Sequence, residues 1–180
     1  MTTDSILPEE ILAAARRAVD ANRAAGRTFA LAESCTGGLV AAAITEIPGS
    51  SDVFERGFVT YSNEAKIEMI NVSADVLDTF GAVSIATAWS MAQGALEASG
   101  ADIAIAITGV AGPDGGTEKK PVGTVVFARA EKGADPQHVV ADRKEFGDLG
   151  RGGVRFQAVL CALELLLPSH DGGDGLDGDA

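Results

Sequence analysis

Stretches with the three-to-four-residue apolar spacing of amphipathic helices alternate along this chain with short, nearly continuous apolar runs. That alternation predicts an α/β protein. A helix is expected from Pro8, which suits a first turn. Glu9 and Glu10 follow it, Ile11, Leu12, Ala15 and Val19 form the apolar face, and Gly26 stops the helix. An apolar strand, Thr28 to Leu31, runs into the small-residue corner Ala32-Glu33-Ser34-Cys35-Thr36-Gly37-Gly38, and a second helix is expected from about Leu39 to Thr45. Pro48 to Ser51 reads as a loop, Phe54 to Tyr61 as a strand, and Ser62 or Asn63 as the cap of a helix carrying Glu64, Lys66 and Met69.

The second half repeats the scheme. A short helix from Ala74 to Thr79 is capped by Ser73. A longer one opens at Ser84, with Ile85, Trp89, Ala92 and Leu96 on one face, and ends at Gly100. Asp102 to Thr108 is an almost unbroken apolar run, as in a strand covered on both faces. A glycine-rich loop, Gly109 to Pro121, separates it from a strand over Gly123 to Ala130. A turn at Lys132 to Pro136 leads to a strand from His138 to Phe146. The last helix carries Phe156, Val159, Leu160, Leu163 and Leu167. Residues 1–168 are expected to form one domain, and 169–180, rich in glycine and aspartate, an acidic disordered tail.

Ser34 stands where a strand turns into a helix, facing backbone N–H groups and the positive end of a helix dipole. Such a corner serves either a serine nucleophile or a bound phosphate. The chain has two histidines, His138 within a hairpin and His170 in the tail, and neither is well placed for a Ser-His-Asp triad. A desolvated lysine is the other base a serine can use, and Lys66 follows a second strand-to-helix corner that also bears Tyr61, the one tyrosine. Spacing alone favours the plainer reading of Lys66 as a solvated helix lysine and Tyr61 as a half-buried strand end. A third corner, Thr108 to Gly116, brings glycines that let a backbone approach a ligand, with neither a P-loop nor a dinucleotide fingerprint. Strand alternation turns Cys35 away from Ser34, which makes it a small buried residue rather than a rival nucleophile.

Charge narrows the partners. The net charge is −12, and the four tail aspartates leave −8 on the rest, a poor match for a nucleic-acid binder. No apolar run is long enough for a membrane span, Met1 to Glu10 has no basic leader, and the cysteines Cys35 and Cys161 are not at metal-ligand spacing. A cytoplasmic protein with no metal and no cofactor is expected.

Five segments in this order resemble one known family: Ala32 to Gly38, Gly57 to Lys66, Gly81 to Ser84, Gly109 to Gly116 and Lys120 to Val125. They are similar to the CinA C-terminal domain, also called the PncC family of nicotinamide-nucleotide amidohydrolases, over about Pro8 to Leu167. The resemblance implies a single-domain three-layer α/β/α sandwich around a mixed sheet. It implies deamidation of nicotinamide mononucleotide, a small-molecule nucleotide, to nicotinate mononucleotide and ammonia. It also implies Ser34 as nucleophile with Lys66 and Tyr61 as its activating partners, and a homodimer. Thr36, Gly37, Gly38, Asn63, Thr108, Gly109 and Gly112 fall on segments resembling the substrate pocket. Arg151 and Arg155 keep an Arg-x-x-Val-Arg pattern, which implies a phosphate contact at Arg151 or Arg155 in a register that departs from the family pattern. The alternative is a nucleotide-binding module of the same type in which Ser34 caps a helix.

Overall fold

The computed structural model describes residues 5–135 and 137–168. The chain runs α1 (Glu9–Ala24), β1 (Phe29–Glu33), α2 (Leu39–Thr45), a short 3-10 turn (Ser50–Asp52), β2 (Phe54–Val59), α3 (Asn63–Ile70), α4 (Ala74–Phe80) and α5 (Ile85–Ser99). It continues with β3 (Ile103–Gly109), β4 (Thr124–Glu131), β5 (Val140–Glu145) and α6 (Gly150–Leu165). The five strands form one mixed sheet in the order β2-β1-β3-β4-β5. β1 pairs in parallel with both β2 and β3, whereas β4 and β5 pair antiparallel. Helices α1, α2 and α6 cover one face and α3, α4 and α5 the other, giving the expected three layers.

The two faces are built from different residues because strand side chains alternate. Phe29, Leu31, Ile103, Ile105, Ile107 and Phe127 point to the α1/α2/α6 side. Each such buried side chain contributes roughly 1.5–3 kcal/mol. Ala30, Ala32, Ala104, Ala106, Ala128 and Ala130 point to the other, where α5 sets Ala88, Met91, Ala92 and Ala95 against them. Small residues on both surfaces let α5 lie close to the sheet. The same economy recurs at Gly94, where an added Cβ would stand 1.8 Å from the Ile70 carbonyl oxygen. Main chain meets main chain there, and the end of α3 is held against α5.

The apolar face expected for α5 is therefore rotated. Ile85 is exposed and Trp89 and Leu96 are half-buried, while Thr87, Ala88, Met91, Ala92 and Ala95 are buried. In α6 the buried set is Val154, Ala158, Val159, Ala162 and Leu163, and Leu167 lies beyond the helix end. Ser62 and Ser84 cap α3 and α5 by accepting from Ala65 and Thr87 N–H. Ser73 is the N-cap of α4 without a capping side-chain bond. The last strand begins at Val140, leaving His138 exposed in the preceding turn. Pro136, His170 and the whole tail lie outside the described residues. Among the described residues, no helix is long and apolar enough to cross a membrane.

Candidate active site

Three parallel strands end on the same edge of the sheet, so the loops that follow them meet there. Ser34 follows β1, Thr60 and Tyr61 follow β2, and Val110 to Gly112 follow β3. The register is closed by two main-chain bonds. Ser34 N–H donates to Ile107 O at 2.9 Å and Thr60 N–H donates to Glu33 O at 2.8 Å. Between the three corners lies a cavity of about 190 Å³. Ser34, Cys35, Lys66 and Tyr61 line one side, Thr108, Gly109 and Ala111 another, with Ala82, Val83 and Arg151 completing the wall.

Alternation along β1 sends Ser34 to the α3 side of the sheet, where Lys66 on the second turn of α3 comes down to meet it. Lys66 Nζ stands 3.1 Å from Ser34 Oγ. Lys66 is 1 % exposed, and that burial holds its pKa below the usual 10.5 because desolvation disfavours the ammonium. Nζ donates to Thr60 O at 2.8 Å and approaches Tyr61 O and Ser62 O at 3.4 Å. A neutral amine has two N–H bonds and one lone pair. In that form two of these carbonyls take its hydrogens, and the lone pair is left for the serine hydroxyl.

The Tyr61 phenol takes no part in that contact. It is 60 % exposed, and its Oη accepts from Arg151 Nη2 at 3.0 Å. Arg151 also donates from Nη1 to Gly112 O at 2.9 Å, so this arginine joins the second and third corners at the cavity mouth. One turn further along α6, Arg155 Nη2 donates to Thr36 O at 3.0 Å and braces the first corner. Thr36 is fully buried, Gly37 is exposed and Gly38 half-buried, and none of the three lines the cavity. Asn63, the first residue of α3, is exposed and also lies off the cavity. Thr108 is on the wall, but its hydroxyl is committed to Ala82 O at 2.8 Å and holds the segment before α5 in place. Gly109 could not carry a side chain, since a Cβ would meet Thr124 O at 2.8 Å.

Cys35 packs with the α1/α2/α6 core, on the side opposite Ser34, while touching the cavity. Burial pushes its thiol up to about 12, with the Glu33 charge acting in the same direction, so it is a poor nucleophile.

Glu33 escaped the sequence reading. It is 1 % exposed at the end of β1, and its carboxylate accepts N–H bonds from Gly38 at 3.0 Å, Val40 at 3.1 Å and Ala41 at 2.8 Å. Hydrogen bonds to a charged group contribute roughly 1.5–3 kcal/mol each. The first turn of α2, which an external anion could have used, is thus filled from within. The available signal was a lone acid ending an apolar strand just before a helix whose N-cap, Gly38, has no side chain to cap with. Ser34 O accepts from Gly37 N–H at 3.0 Å. Among the described residues, the hydrogen bonds of this corner leave the N–H groups of Cys35 and Thr36 without an acceptor.

A family model described as the CinA C-terminal domain matches residues 12–169. A nicotinamide-nucleotide amidohydrolase PncC of Escherichia coli strain K12 is 50% identical over 157 residues, 87% of this chain and 93% of that protein. A putative competence-damage inducible protein of Symbiobacterium thermophilum is 59% identical over 108 residues, but the chain spans only 25% of its length. Among solved structures, a competence/damage inducible protein, CihA, from Agrobacterium tumefaciens superposes with a TM-score of 0.85 at 48% identity, covering 90% of this chain and 96% of that one. The protein described here belongs to the CinA C-terminal domain family.

Proposed function

We propose that the protein is a nicotinamide-nucleotide amidohydrolase that converts nicotinamide mononucleotide to nicotinate mononucleotide and ammonia through a covalent Ser34 intermediate. The observation that carries the mechanism is the 3.1 Å approach of a fully buried lysine nitrogen to the Ser34 hydroxyl at the floor of a small cavity. The PncC relatives, 50% identical over most of the chain, support the substrate.

Ser34 Oγ attacks the carboxamide carbon while Lys66 Nζ takes its proton. The tetrahedral oxyanion is received by the Cys35 N–H group, which follows the nucleophile directly and lines the cavity. Lys66 returns the proton to the leaving nitrogen, so that ammonia departs and a nicotinoyl ester remains on Ser34. Water then attacks that ester, giving its proton to Lys66, which passes it to Ser34 Oγ as the acid leaves. Neither step requires a metal or a cofactor.

The cavity is smaller than the roughly 300–1,000 Å³ of sites that engulf a drug-sized ligand. It suits the ring and carboxamide, with the ribose phosphate lying across the mouth. Arg151 is the guanidinium placed there, and we assign the phosphate to it, with Tyr61 orienting the arginine and the Gly109–Gly112 segment bordering the ring. Thr36, Gly37, Gly38 and Asn63 act on the substrate through the shape of the corners. We assign a homodimer in the cytoplasm, with residues 1–168 as the functional domain. Sedimentation tests the first point, and a monomer at assay concentration overturns it.

The rival reading, a binding module that holds an anion at the Ser34 corner, has the Glu33 carboxylate against it, because that group occupies the N–H cluster the anion would need. Ammonia release from nicotinamide mononucleotide decides the matter. Turnover by the native chain that disappears in Ser34→Ala is expected, whereas turnover surviving that change discards the covalent step. Binding without turnover in the native chain discards the enzyme.

A further inference from the structure

The nucleophile's corner contains little that would hold it in shape by itself. Gly37 and Gly38 both have positive φ, 61° and 93°, and residues without side chains supply no packing to fix such a turn. Arg155 holds Thr36 O from outside, and the restraint from within comes from Glu33. Alternation along β1 puts its side chain on the α2 face beside Phe29 and Leu31, opposite Ser34. There its two oxygens receive the N–H groups of Gly38, Val40 and Ala41, which closes the segment from 34 to 38 into a ring of hydrogen bonds. The Glu33 main chain works on the other half of the site. Its carbonyl accepts from Thr60 N–H, and the Thr60 carbonyl in turn accepts from Lys66 Nζ.

From this we infer that Glu33 is a positioning residue of the reaction: its buried carboxylate fixes the Ser34–Gly38 turn and so aims the Ser34 hydroxyl at Lys66. The inference rests on Ser34 being the nucleophile. Glu33 does not line the cavity, so its effect reaches the substrate only through the Ser34–Gly38 turn. Glutamine keeps the shape of glutamate, but its NH2 faces backbone donors that need an acceptor, so the turn relaxes around it. Aspartate keeps both acceptor oxygens and shortens their reach.

The experiment measures the rate at which a fluorophosphonate probe modifies Ser34, together with kcat and KM for nicotinamide mononucleotide. It compares the native chain, Glu33→Gln and Glu33→Asp at a temperature where circular dichroism shows each to be folded. Labelling and kcat are expected to fall by about 10²-fold in Glu33→Gln, the cost of a reacting atom displaced by about an ångström. KM stays within about threefold, because uniform substrate binding is untouched. Glu33→Asp should lie between the two, and it carries the same test if the glutamine variant does not fold. A residue that merely stabilised the fold would leave kcat per folded molecule unchanged. Equal labelling rates and equal kcat in folded variants overturn the role of Glu33 alone. A native chain that neither labels at Ser34 nor releases ammonia overturns the covalent reading, and this role with it.

Discussion

Lys66 places an amine out of bulk solvent, and the consequence is a base that works at lower pH than a surface lysine. The amine must be neutral to take the Ser34 proton, so activity is lost as pH falls through its pKa, which burial holds below 10.5. The profile of kcat/KM against pH should rise, with its midpoint below that value. Lys66→Ala should lower kcat by about 10²–10⁴-fold, the usual worth of a general base. Lys66→Arg should do no better, since a guanidinium does not deprotonate. Retained activity in Lys66→Arg, read by ammonia release, rules out lysine as the base. Tyr61→Phe should be far milder, about tenfold and expressed in KM, because the phenol meets Arg151 rather than the serine–lysine pair. A loss in kcat matching that of Lys66→Ala would instead return Tyr61 to the proton path. Two corners and a process of elimination pointed to Lys66 in the sequence, but the pairing with Ser34 was carried by the family resemblance rather than by spacing. The partner of the phenol was not, because Arg151 lies 90 residues away along the chain.

At the scale of elements, the site depends on how α3 is seated. Lys66 hangs from α3, and α3 is fixed by the contact of its last residue, Ile70, with Gly94 in the middle of α5. A methyl group at Gly94 has no room, so Gly94→Ala should push the two helices apart. Overpacking of this kind costs about 1–3 kcal/mol, which urea denaturation would register as a lower midpoint at constant slope. Activity should fall beyond the loss of folded protein, because moving α3 also moves Lys66 from Ser34. Unchanged stability would mean that α5 has freedom the packing denies it. Element order and type were readable from spacing, and α2 begins and ends where the pattern placed it. The burial of α5 was not. Ile85, Trp89 and Leu96 carry the greater hydrophobicity, yet the sheet beneath offers alanines, and only alanines opposite let the backbones close. That choice is made by the surface α5 lands on, which no local window contains.

For the whole molecule, the question is how a strongly acidic protein receives a substrate bearing a phosphate. The net charge of −12 repels an approaching anion at long range, while Arg151 and Arg155 present a local guanidinium pair beside the corners. The helix end that might have helped, the start of α2, is neutralised by Glu33. Local attraction acts within a few ångströms and long-range repulsion over a Debye length, about 10 Å at 0.1 M salt. Moderate salt should therefore raise kcat/KM by a small factor, about two- to threefold, before higher concentrations screen Arg151 itself. Among the described residues, both cores and the cavity wall are built from Leu7 to Leu166. Ending the chain after Pro168 removes Asp171, Asp174, Asp177 and Asp179 and should leave kcat unchanged. If the tail acts only through its charge, the shortened chain at low salt should gain part of the increase that salt gives the full chain. The two effects should then fail to add. A fall in kcat on shortening, measured at matched ionic strength, would show that the tail contributes to the site by contact instead of by its field.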